Sequence, residues 1–182
     1  MKRIHLFVIF CFMTFSVSGQ SIFDKFEDNQ DVSFVSISPK MFQMLGKMSV
    51  NTNDPEAEQF FEIIKSVKSF KVITTDNQSI SKELQEYAAL TTKKKGMQEL
   101  MKVRDGNTNV KFYVLESKKS DRIQELLMCV TELDEKISID NRSFETILLQ
   151  LIGDIELEQI SKLTAQMNLP GGKQLNKVSS TK

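Results

Sequence analysis

The sequence predicts an α+β domain: a mainly antiparallel sheet of four to six strands, with helices packed on one face, preceded by a signal peptide. Three observations lead there. The back half holds β-prone runs joined by turn signals, Asp105-Gly106 and the polar stretch Lys118 to Asp121. The front half alternates such runs with segments whose apolar residues recur at helical spacing. The chain opens Met1-Lys2-Arg3 and then runs apolar from Ile4 to Val17.

That opening has a basic start and a short apolar core, with Val17 and Gly19 at the −3 and −1 positions of a cleavage site before Gln20. Residues 1–19 are therefore read as a secretory signal, too short to span a membrane well. Residues 20–167 form one domain and residues 168–182 a flexible tail. No membrane span is expected after cleavage.

Residues 20–31 read as a polar leader with Phe23 and Phe26 as anchors. Val32 to Ile37 is the first strand. Ser38-Pro39 starts a helix, Ser as the cap and Pro at the first position, where a missing N–H costs nothing. Met41, Leu45 and Met48 follow at helical spacing, with Met44 beside them. Asp54-Pro55 repeats this start, and Ala57, Phe60, Phe61, Ile64 and Val67 give one apolar face. Phe70 to Thr74 is a second strand. Ser79 or Ser81 opens a helix with Leu84, Tyr87 and Ala88 inward. Lys93-Lys94-Lys95-Gly96 ends it, because lysines suit the negative end of the helix and glycine suits the left-handed cap.

Met97 to Arg104 is ambiguous by period. The Asp-Gly pair behind it favours a strand, since Val110 to Leu115 is strongly β-prone. Ile123 to Thr131 is the next strand, with Cys129 inside it, and residues 132–143 are a charged loop. Ile147 to Ile152 is a buried strand. Gly153 and Asp154 then form a structural corner, Asp154 capping a helix. Glu156 and Glu158 lie in its first turn, and Leu157, Ile160, Leu163 and Met167 form its apolar face.

Composition excludes several classes. Lys plus Arg and Asp plus Glu number 24 each, and losing Lys2 and Arg3 leaves a formal net of −2. No global basic field draws the protein to nucleic acid. His5, the single histidine, and Cys11 both leave with the signal, so Cys129 stands alone. An intramolecular disulfide, a histidine-based triad and a zinc site of His or several Cys are then ruled out in the mature chain. No catalytic, cofactor-binding or metal residues are assigned, and no cofactor is expected. Cys129 reads as a small core hydrophobe rather than a reactive thiol. Met41, Met44, Met48, Phe60 and Phe61 are the candidate lining of a ligand groove, against the commoner alternative of core filling.

The segments Ile37-Ser-Pro-Lys-Met-Phe42, Lys102-Val-Arg-Asp-Gly106, Glu125-Leu-Leu-Met128 and Leu151-Ile-Gly-Asp-Ile155, with Ile160 and Leu163, occur in this order behind a signal peptide. In this the chain resembles a family of exported Bacteroidetes proteins, domain of unknown function 4252, over Ser21 to Met167. The loop 132–143 is longer than the family's. The resemblance implies a Gram-negative envelope location and companionship with extracytoplasmic sigma-factor and anti-sigma systems. It supplies no catalytic residues. The expected role is a non-enzymatic periplasmic, outer-membrane-associated or secreted module that binds an envelope protein, with stress signalling as the expected setting. The alternative is a carrier of a small apolar ligand or lipid in the Met/Phe groove. An enzyme would need carboxylates such as Asp154 and Glu156 converging in one pocket.

Overall fold

A computed structural model describes residues 21–48, 61, 63–118, 121–132, 138–139, 142–143 and 145–156. The signal, the helix start at Asp54-Pro55, the apolar face from Leu157 to Met167, and the tail lie outside them. In chain order the elements are α1 (Ile22–Phe26), β1 (Val32–Ile37), α2 (Pro39–Met48), β2 (Val67–Thr75), α3 (Gln78–Lys95), β3 (Gln98–Asp105), β4 (Thr108–Glu116), β5 (Arg122–Thr131), β6 (Ser138–Ile139), β7 (Arg142–Ser143) and β8 (Thr146–Glu156). Six strands form one antiparallel sheet in the order β1-β2-β8-β5-β4-β3. The α+β class and the antiparallel sheet are as expected. Within the charged loop, β6 and β7 pair as a short separate ribbon.

The helices are shared between the two faces of the sheet rather than confined to one. On one face Val72, Phe112, Met128 and Leu149 pack with Phe42 and Leu45 of α2. On the other, Ile73, Leu127, Cys129 and Leu148 pack with Phe23 and Phe26 of α1 and with Ile80, Leu84 and Ala88 of α3. The cause lies in the two central strands. Leu126 to Val130 and Ile147 to Leu149 are continuous apolar runs, buried at every position. Successive side chains of a strand point to opposite faces, so such a run needs cover on both.

Several ends fall where local chemistry places them. Ser38 Oγ accepts from the Met41 N–H at 3.3 Å and starts α2. Gly96 closes α3 with φ +66°, its N–H directed at the carbonyls of Thr92 and Lys93. The β3–β4 hairpin turns on Gly106, φ +58°, inside the closing pair Asp105 and Thr108. Residues 98–104 are strand. The N-cap of α3 is Asn77, not Ser79 or Ser81. Its side-chain oxygen accepts from the N–H groups of Ser79 and Ile80 at 2.9 and 3.2 Å. Val67 opens β2 instead of closing a helix face, because it is drawn into register with Gly153 of β8.

The largest difference concerns Gly153 and Asp154, which form no corner. β8 runs through both to Glu156. Cross-strand partners override the local turn signal: Ile155 pairs with Ile123 and Glu156 with Arg122. The glycine has another reason to be there. A Cβ at position 153 would stand 2.5 Å from the Ser66 carbonyl oxygen and 2.8 Å from Ile155 Cγ1. Gly153 therefore marks the close approach of the helical residues 63–66 to the sheet centre, a second known use of a strand glycine.

Candidate functional site

A strand at the end of a sheet carries unpaired N–H and C=O groups, and proteins usually blunt such an edge with charge or bulges. Among the described residues β1 and β3 are the two ends of the sheet. β3 is blunted twice: its register slips between Glu99 and Met101, and Glu99, Lys102 and Arg104 stand exposed along it. β1 is not. Val32-Ser-Phe-Val-Ser-Ile37 carries no charge, and its pairing with β2 runs unbroken from Val32–Thr75 to Ile37–Phe70.

Exposed apolar side chains stand on β1 and on α2, the helix that follows it in the chain. Val35 is 49% exposed, Met41 48% and Met44 52%; of the five exposed large hydrophobics among the described residues, only Leu90 and Leu100 lie elsewhere. One exposed Leu means little, whereas a local group of apolar side chains marks a contact surface. Lys40 and Lys47 are exposed along α2, and the segment from Val32 to Met48 contains no acidic residue. Backbone groups, apolar side chains and positive charge are therefore offered together.

The candidate groove residues do not line a groove. Met41 and Met44 face solvent, while Phe42 is buried and Leu45 packs beside it. The Ser38-Pro39 start fixes the phase of α2, and that phase turns the Phe42–Leu45 stripe inward. The aromatic residue was the readable signal, since a phenylalanine loses more by exposure than a methionine. Phe61 is half-buried. Phe60 and the side chain of Met48 lie outside the described residues. Sequence reasoning missed Val35 as a surface residue, because strand order decides which strand ends the sheet.

Of the carboxylates singled out in the sequence, the two that are described are engaged. Asp154 and Glu156 meet on one guanidinium: Arg122 Nε donates to Asp154 Oδ1 at 2.9 Å and Nη1 to Glu156 Oε1 at 3.0 Å. Glu158 lies outside the described residues. Of the three lysines ending α3, Lys95 reaches back to the buried Glu125, whose oxygens accept from Nζ at 2.8 and 2.5 Å. Gln150 Nε2 donates to the same carboxylate at 2.7 Å, so the charge is compensated inside the sheet. Cys129 is buried, and burial pushes its thiol up to about 11. A thiol that stays protonated at neutral pH is a poor nucleophile. Among the described residues no group of three or more His, Cys, Asp or Glu could hold a metal ion. No described helix is long and apolar enough to cross a membrane.

Neither a curated protein nor a solved structure matches the chain. The family described as "Domain of unknown function (DUF4252)" matches residues 26–163, well over half of the sequence, and takes in every strand of the sheet. The chain belongs to that family.

Proposed function

We propose that the protein is an exported, non-enzymatic module of the cell envelope that binds a protein partner by adding one of the partner's strands to β1. The observation that carries this reading is the undefended edge: six uncharged residues in unbroken register, open on one side among the described residues, with Val35 exposed on it and Met41 and Met44 exposed on the helix that follows. In strand addition, main-chain hydrogen bonds give affinity and alternate side chains give specificity. Lys40 and Lys47 suit a partner segment flanked by acidic residues. The apolar start of the chain supports export to the periplasm or outer membrane. Accessory signalling is the role that fits a small binding domain there. The half-exposed methionines favour a surface contact over an enclosed carrier groove.

The test is affinity capture of the tagged full-length protein from its own envelope extract, with Val35→Lys and Leu100→Lys in parallel. A partner held by the wild type and by Leu100→Lys, and lost from Val35→Lys, is the expected result. A partner that tolerates Val35→Lys, or is lost equally from Leu100→Lys, overturns the reading. N-terminal sequencing of the envelope form should begin at Gln20; Met1 would contradict export with cleavage.

A further inference from the structure

α3 leaves part of its face of the sheet uncovered, and a cleft of about 240 Å³ lies between it and strands β4 and β5. Ala88, Ala89 and Cys129 supply apolar wall, and Asn109, Lys111 and Thr131 supply polar wall. No carboxylate lines the cleft, and Lys111 is its single formal charge. The Cys129 thiol, held protonated by burial, adds no negative charge. A cavity of about 150 Å³ accepts benzene, so this one has room for a body of roughly six carbons.

The rim carries a second observation. Lys102 lies directly opposite Lys111 in the β3–β4 pairing, and Arg104 opposite Asn109. Val103 and Val110 turn to the other face, so these cations share the face that α3 covers. Like charges directly opposite one another destabilise a sheet. Among the described residues Lys102, Arg104 and Lys111 take part in no ion pair. Of the two carboxylates near the ends of the strip, Glu99 lies opposite Tyr113 in the pairing, and Glu132 Oε2 accepts from Asn109 Nδ2 at 3.2 Å. Two lysines set opposite one another without an ion pair, one of them lining a partly apolar cleft, break a local rule, as functional sites do.

We propose that this cleft binds a small organic anion, its acidic group between Lys102 and Lys111 and its short apolar body over Ala88, Ala89 and Cys129. This goes beyond partner binding at β1 and does not depend on it. The anion supplies the negative charge that the lining of the cleft lacks, and its body displaces water from the apolar wall.

The probe is hexanoate, titrated into full-length protein carrying methyl labels on alanine and threonine. Hexanol, which keeps the body and drops the charge, and inorganic phosphate, which keeps the charge and drops the body, are run in parallel. Hexanoate should shift the Ala88, Ala89 and Thr131 methyls saturably and bind about tenfold tighter than either control. Lys111→Met and Lys102→Met should each weaken it about fivefold while leaving the ligand-free Tm unchanged or higher, because repulsion is relieved. Methyls that stay still, equal binding by hexanol or phosphate, or unaltered affinity in Lys111→Met overturns the proposal.

Discussion

The two ends of the sheet answer the same hazard in opposite ways. β3 meets solvent with a bulge and with Glu99, Lys102 and Arg104, so another strand finds irregular hydrogen-bonding groups and charges to desolvate. β1 meets solvent with two serines, exposed Val35 and a straight register. Among the described residues one edge is thus defended and the other is open to pairing. An edge open in this way among the described residues is what a partner strand needs, and this contrast supports the strand-addition proposal.

If the edges are for meeting other molecules and the interior is for holding shape, substitutions should separate on a stability scale. Gly153→Ala should cost most, about 3 kcal/mol, because the new methyl meets a backbone oxygen that cannot move aside. Urea unfolding reads it. Lys95→Met should follow at about 2 kcal/mol. It strands the buried Glu125 carboxylate with only Gln150, and the cost is discounted because Lys95 is 39% exposed. Cys129, on one of the two central strands, adds a pH signature. Its pKa is raised from 9.0 to about 11, so its stabilisation is present below pH 9 and lost as pH rises through 11. That loss is on the order of 2 kcal/mol, and unfolding midpoints at pH 8 and 11 should show the extra fall in the wild type and not in Cys129→Ala. Val35→Lys should cost least, below about 0.5 kcal/mol, while abolishing partner binding. An edge substitution as costly as Gly153→Ala would break the comparison.

Local structure was readable in the sequence at most places where the cause was local, the Asn77 cap of α3 being an exception. The Ser38-Pro39 start, the Gly96 cap and the Asp105-Gly106 turn each depend on residues within a few positions, and each stands as expected. Asp154 shows the limit. Its chemistry suits an N-cap, but Arg122, 32 residues earlier, holds it in a strand. Gly153 likewise answers to Ser66, which no local window contains. The two-sided burial was legible and overlooked, since Leu126 to Val130 and Ile147 to Leu149 have no polar alternation. The candidate site was the least legible part. Val35 looks like any strand valine until strand order puts β1 at the end of the sheet, and Met41 and Met44 look like core until Phe42 takes the inward position.

Amide hydrogen exchange on β1 and β3, with and without the captured partner, tests the strand-addition claim most directly. Alternate amides of Val32–Ile37 should exchange freely in the isolated protein and become protected in the complex, with Gln98–Asp105 unchanged. Protection appearing along β3, or a complex that leaves every β1 amide as exposed as before, would contradict it.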